Sequence, residues 1–232
     1  MIYIYTHQGL GDHIICNGLV RHFVDIHKSA VVFCKPHNEK SIKWMYRDDS
    51  RIHVLAVGQE QDTYLANYIV ENNLQSSTII VGFGRISAEF QPPVVESFDE
   101  AFYKMVDLPF EYRFTKFKLI RDEKRENECY NNLNPKNEPY IFVHDDSTKG
   151  FKIDKSKLPQ NIKIIENDMR YTIFDFLKVL ENAEEIHVMQ SCFKELINSY
   201  VLEKPKIYAH HYIREYPEYL NSKGIKKIEI IN

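Results

Sequence analysis

Short β-rich runs and runs of helical period alternate along this chain; the alternation stops near the middle and then starts again. Ile2–Tyr5 is the first β-rich run, ended by the turn residues Gln8, Gly9 and Gly11. From His13 to Lys28, Ile14, Ile15, Leu19, Val20, Phe23, Val24 and Ile26 recur with the spacing of one helix face. The pattern then predicts strands over Ala30–Cys34, Ile52–Val57 and Thr78–Val81, with helices over Asn38–Tyr46 and Asp62–Asn72. Residues 82–135 interrupt it with Pro92-Pro93, Pro109, many aromatics and the charged run Arg121–Glu128, which reads as an irregular and helical connector. Strands resume at Tyr140–His144, Ile162–Ile165, Glu185–Met189 and Lys206–Ala209, with a last one at Ile228–Ile231. Helices are expected over Ile173–Glu181 and Phe193–Leu202, and a helix start near Glu215–Tyr219.

Strands that alternate with helices form mostly parallel sheets covered on both faces. Because the pattern occurs twice, the economical architecture is α/β: two Rossmann-like halves facing each other across a cleft. The expected division is 1–120, which includes the aromatic connector, and 121–232. Open α/β sheets bind ligands beyond the carboxyl ends of their strands. The polar turns that follow the two opening strands should therefore face the shared cleft.

The charge balance narrows the partners. Thirty Lys and Arg against 33 Asp and Glu leave a net charge of -3, without the basic surplus of a nucleic-acid-coating protein. The N-terminus has no basic leader or cleavage site, and no apolar run is long enough to span a bilayer, so no transmembrane segment is expected. Cys16, Cys34, Cys129 and Cys192 form no CxxC pair, and a reduced, cytoplasmic setting, peripheral to the inner membrane face, is the expectation. No HExxH or Cys/His cluster occurs, and the adjacent His210-His211 cannot share a metal from one helix face. Neither a metal nor a cofactor is expected.

Three turns carry groups suited to chemistry. The first is Gln8-Gly9-Leu10-Gly11-Asp12-His13, where glycines let backbone approach a ligand at the start of a helix whose N-terminal end favours anions. Ile14 stands where a dinucleotide fingerprint needs its third glycine, and no Gly-Lys-Ser/Thr follows, which argues against NAD and against a P-loop. Asp12 suits a helix N-cap and equally a general base at the cleft mouth, with His13 as the fallback base. The second turn, His144 to Lys152, gathers Ser147, Thr148, Lys149, Gly150 and Lys152, donors and ammonium groups suited to a diphosphate as well as to a solvated loop. The third, Gln190-Ser191-Cys192-Phe193, opens a helix that Ser191 can cap and whose first amides can hold a phosphate. No Gly-x-Ser-x-Gly elbow surrounds Ser191 and Cys192, so they are not read as nucleophiles.

A strand, then Gly-x-Gly-Asp, then a helix resembles the opening of the bacterial heptosyltransferase-like glycosyltransferases. The resemblance implies the GT-B fold of two facing Rossmann domains and makes Asp12 the proposed base. In that family the second domain opens with a strand and a Thr-Ser-Arg-x-x-Lys-type turn at the nucleotide diphosphate. Ser147-Thr148-Lys149-Gly150-Phe151-Lys152 looks like a variant of it, with Lys149 on the arginine and Lys152 on the lysine. The segment Ile186 to Phe193 is similar in place to the family's Asp-Thr/Ser-Gly segment, without the glycine and the acid.

The resemblance implies a metal-independent transfer of a sugar from a nucleotide diphosphate donor to a glycan or lipid-linked glycan acceptor. Gly11, Ser147, Thr148, Lys149, Lys152, Ser191 and Cys192 would bind the donor, and Asp12 would take the proton of the acceptor hydroxyl. The alternatives are a non-catalytic nucleotide or sugar-phosphate binding protein, including a decayed transferase subunit, and an isomerase acting on a sugar nucleotide.

Overall fold

The structure, a computed structural model, describes residues 1–58, 62–82, 97–146, 150–200, 202–212, 224 and 228–231. The chain divides into two compact units with the break between Ile120 and Arg121. The prolines at 92–93 and the helix start expected near Glu215–Tyr219 lie outside the described residues.

In the first unit β1 (Ile2–Tyr5), β2 (Ala30–Cys34), β3 (Ile52–Ala56) and β4 (Thr78–Ile80) form a sheet of order β3-β2-β1-β4. Every pairing is parallel. The inner strand β2, Ala-Val-Val-Phe-Cys, is buried at all five positions, the continuous apolar run that a strand covered on both faces requires. Tyr5, Val31 and Phe33 pack with Leu65 and Ile69 from α4 (Asp62–Glu71), each buried aliphatic or aromatic group contributing roughly 1.5–3 kcal/mol.

The expected helix over His13–Lys28 is two helices, α1 (Leu10–Ile15) and α2 (Asn17–His27), divided at Cys16. The cause is Tyr103 on α5 (Phe98–Lys104), a fully buried ring whose hydroxyl donates to the Ile15 carbonyl at 2.8 Å and accepts from the Leu19 backbone amide. That carbonyl and amide would otherwise close an i→i+4 bond, and a side chain inserted into the ladder breaks a helix. The helix ends at Lys28, whose φ of 67° reverses the chain into β2. The helix expected over Asn38–Tyr46 begins with a single 3-10 turn, Pro36–Asn38, followed by α3 (Glu39–Met45).

Described residues of the connector pack against α2. Gly18 lies so close to α6 (Tyr112–Thr115) that an added Cβ would meet the Tyr112 carbonyl oxygen at 2.0 Å. Asn17 exchanges hydrogen bonds with the backbone of Lys118, at 3.3 and 3.0 Å, and Arg21 reaches both the Lys118 carbonyl and Asp48 at 2.9 Å. Beneath them Arg113 and Asp99 form an ion pair with both side chains fully buried.

The second unit begins with α7 (Glu123–Leu133), capped by Asp122. β5 (Tyr140–His144), β6 (Lys163–Glu166), β7 (Glu185–Val188), β8 (Lys206–His210) and β9 (Glu229–Ile231) form a parallel sheet of order β6-β5-β7-β8-β9. The helix expected at Ile173–Glu181 starts as a 3-10 turn, Ile173–Phe176, and continues as α8 (Leu177–Asn182). Asp175 fixes the start by accepting from Thr172 N at 2.8 Å and from Arg125 of α7 at 2.9 and 2.7 Å. α9 (Cys192–Ser199) follows β7.

The strand orders mark two candidate ligand positions. In the first sheet β1 has β2 on one side and β4 on the other; in the second, β5 lies between β6 and β7. Crossovers from such a strand leave in opposite directions, which opens a crevice at its carboxyl end. The ends concerned are those of β1 with β4, and of β5 with β7.

Candidate functional site

At the end of β1 the chain makes the turn Thr6-His7-Gln8-Gly9. Gln8 is buried; its amide donates to the Thr6 carbonyl at 2.7 Å, and its own carbonyl accepts from Asn38 at 2.9 Å. Gly9 is the N-cap of α1, and Gly11 and Asp12 are its second and third residues. The Asp12 carboxylate reaches back and accepts from the Gly9 amide at 3.2 Å. Asp12 is therefore not the N-cap that its position suggested; it supplies the return arm of a capping box. An alanine at position 9 would put its Cβ 2.7 Å from the Asp12 carboxylate, so glycine there makes room for this bond.

His13 points inward. It is 1% exposed, and burial lowers its pKa to about 3, so at neutral pH it is an enclosed, uncharged imidazole and a poor base. Asp12, half-buried on the same short helix, keeps the more accessible position. On the β4 side of the crevice, Gly82 adopts a φ of +124° and leaves space that the His7 ring fills; a Cβ there would lie 2.2 Å from that ring. His7 also packs edge-on against Phe102, with ring centres 5.3 Å apart. Its place beside the glycine turn could not be read from the sequence, because Gly82 and Phe102 lie far away along the chain.

In the second unit His144 ends β5. Its Nδ1 lies 3.1 Å from the Asn167 side-chain oxygen and its ring 4.4 Å from that of Phe193, and burial holds its pKa below the ordinary value. Asp146 and Phe151 exchange two backbone hydrogen bonds of 3.0 Å, closing a turn in which Gly150 has a φ of +82°. Ser147, Thr148 and Lys149 lie outside the described residues; Lys152 is exposed on the outgoing arm.

Across the crevice, Ser191 is the N-cap residue of α9 by backbone conformation, yet its hydroxyl makes no cap bond. Its Oγ is buried without a hydrogen-bond partner. Cys192 is the first residue of α9, and burial pushes its thiol up to about 11, which leaves it protonated and unreactive.

Lys194, which sequence reasoning passed over, is 3% exposed in the first turn of α9 and donates to Gln190 Oε1 at 2.7 Å. The Gln190 amide nitrogen lies 3.3 Å from His211 Nε2 at the end of β8. A cation in the first turn of a helix opposes the helix dipole, and a buried ammonium carries a desolvation cost. That broken local rule was the available signal, since such violations gather at functional sites. The arrangement combines a buried ammonium, an unpaired hydroxyl and the first amides of a helix at a topological switch point, the equipment of an oxyanion site.

No protein-family model matches the sequence, and no curated protein sequence does. Solved structures do match. The family 9 glycosyl transferase from Veillonella parvula DSM 2008 superposes over 99% of this chain and 85% of its own, with a TM-score of 0.60 and 9% identity. ADP-heptose LPS heptosyltransferase II of E. coli superposes over 100% of this chain and 90% of its own, with a TM-score of 0.50 and 9% identity. At that identity the likeness is one of fold, and it is the two-sheet α/β fold that the resemblance implies.

Proposed function

We propose that this chain is a metal-independent glycosyltransferase that moves a sugar from a nucleotide diphosphate donor to a hydroxyl acceptor. The observation that carries this reading is the start of α9 at the carboxyl end of β7, where the buried Lys194 ammonium and the unpaired Ser191 hydroxyl stand. A phosphate oxygen would satisfy that hydroxyl and accept a further hydrogen bond from that ammonium. Ser147, Thr148, Lys149 and Lys152 would complete the diphosphate contacts from the turn after β5, and the amide of Cys192 would add another. Gly11, the second residue of α1, is a further proposed donor contact.

In the transfer, the acceptor oxygen attacks the anomeric carbon and the bond to the diphosphate breaks. Asp12 accepts the hydroxyl proton. The departing diphosphate gains negative charge, which Lys194, the lysines of the turn and the α9 dipole stabilise. Fold likeness to glycosyltransferases supports this reaction class by analogy. The acceptor would be a glycan or lipid-linked glycan, and the setting cytoplasmic. Among the described residues no helix is long and apolar enough to cross a membrane.

A second reading, a nucleotide-binding protein without turnover, is favoured by the segment Gln190-Ser191-Cys192, which lacks the glycine and acid of the family it resembles. Thermal unfolding against a panel of nucleoside diphosphates and their sugars, with and without EDTA, tests both readings. A ligand at 100 times its dissociation constant adds about 2.7 kcal/mol, a shift of several degrees. A selective shift that survives EDTA, followed by sugar transfer to an acceptor, supports the transferase. A shift without turnover supports the binding protein, and a flat panel removes both.

A further inference from the structure

β7 and β8 carry a line of polar side chains that the proposed reaction does not use. Glu185 and His187 share one face of β7, and Tyr208 and His210 share one face of β8, as alternate residues of a strand must. Glu185 Oε2 lies 3.2 Å from His187 Nε2. His187 Nδ1 lies 3.0 Å from His210 Nε2, and His210 Nδ1 lies 3.2 Å from the Tyr212 hydroxyl. Both imidazoles are buried, at 4% and 1% exposure, and His187 stacks on Tyr208 at 4.9 Å.

The direction of these bonds follows from their ends. A carboxylate only accepts, so His187 Nε2 carries the hydrogen. In a neutral ring Nδ1 then accepts, which makes His210 donate from Nε2 and accept at Nδ1. Tyr212 must donate to it, and its oxygen is left to accept the Asp154 amide at 3.1 Å. Asp154 is two residues beyond Lys152. The intervening Ile153 amide is held by Asp145 Oδ2 at 3.2 Å, and the Lys157 ammonium lies 4.7 Å over the Tyr212 ring.

We propose that Tyr212, oriented by the buried Glu185–His187–His210 relay, is a positioning residue for the segment that carries Lys152 and so for the donor diphosphate. The inference rests on the donor reading above. The relay works with both rings neutral. Burial, opposed by Glu185, holds His187 below its ordinary pKa; burial, His187 and Lys157 lower His210 to about 4. The charged and titratable groups facing the relay are Glu185 on β7, Tyr208 and Tyr212 with β8, Lys157 from the segment 155–157, and Glu229 of β9 beside Tyr208. A proton added next to Glu185 makes His187 donate from both nitrogens. His210 then has to donate from Nδ1, and the Tyr212 hydrogen loses its acceptor.

The test compares the full chain with Tyr212→Phe, which keeps the ring against His210 and Lys157 and removes only the hydroxyl. Long-range nitrogen–proton NMR spectra at neutral pH should show both His187 and His210 as Nε2–H tautomers in the wild type. In the variant His210 should stay an Nε2–H tautomer, because the Glu185 end of the relay still fixes it, while the Asp154 amide should exchange about fivefold faster, the worth of one hydrogen bond, and the diphosphate that shifts the wild type most (ADP, UDP, GDP or CDP) should bind more weakly. An Nδ1–H tautomer at His210 in the wild type, or unchanged Asp154 exchange in the variant, overturns the relay. Faster exchange with unchanged diphosphate affinity overturns the positioning role. Failure of every diphosphate to bind the wild type removes the donor reading and the role with it, while tautomers and exchange still decide whether the relay holds the segment.

Discussion

The Tyr103 hydroxyl takes the place of a helical hydrogen bond, donating to the Ile15 carbonyl from a helix 88 residues further along the chain. Without it, α1 and α2 have the apolar spacing of one continuous helix. With it, the short helix that carries Asp12 is set apart from α2 at Cys16. In Tyr103→Phe, Ile15 and Leu19 should bond directly and the two helices should join. Slower amide exchange at Leu19 is the expected sign, with a stability change of about 1 kcal/mol; a break that persists in the variant would assign the division to another cause.

Asp12→Asn keeps an oxygen that can accept from the Gly9 amide and removes the base. Transfer should fall by roughly 10²–10⁴-fold, with the donor-induced melting shift unchanged. Full activity in this variant sinks the assignment of Asp12.

Lys194→Met removes the buried ammonium and keeps a similar volume. Binding of the active nucleotide diphosphate should weaken by about 1.5–3 kcal/mol, the worth of a hydrogen bond to a charged group. The unliganded protein should be less stable, because the hydrogen bond from the ammonium to Gln190 Oε1 is lost. Calorimetric titration of wild type and variant measures the first effect, and urea unfolding the second.

Gly18→Ala forces a methyl group toward the Tyr112 carbonyl. Overpacking of this kind costs roughly 1–3 kcal/mol, read as a lower urea midpoint. A wild-type midpoint would show that α6 moves away freely.

Acid should destabilise the fold well above the carboxylate range. His13 and His210 have folded pKa values lowered from 6.5 to about 3 and about 4. The unfolded chain therefore takes up protons below pH 6.5 that the folded chain refuses. Stability is lost as pH falls through that window, at up to about 1.4 kcal/mol per pH unit for each histidine. The depressed carboxyls of Asp49, held by Arg51, and of Asp175, held by Arg125 against its own burial, lose their contribution only as pH drops below 3.8. Urea midpoints at pH 7, 6 and 5 should decline; equal midpoints would place both imidazoles in contact with water.

Much of this protein was legible from local pattern. Alternating apolar runs such as Ala30–Cys34 and Tyr140–His144 specify strands because a strand buried on both faces has to be apolar throughout. The polar turns at Gln8–His13 and Gln190–Phe193 stand at strand ends because turn residues cannot continue a ladder. Strand order, and with it the two crevices, needed the tertiary structure, since parallel pairing joins residues far apart in sequence. So did the division of α1 from α2 by Tyr103, the burial of Lys194 in a helix start, and the meeting of His187 with His210 across 23 positions. Periodicity records which face of an element is apolar, but it holds no information about which distant side chain arrives to pair with a particular polar atom on it.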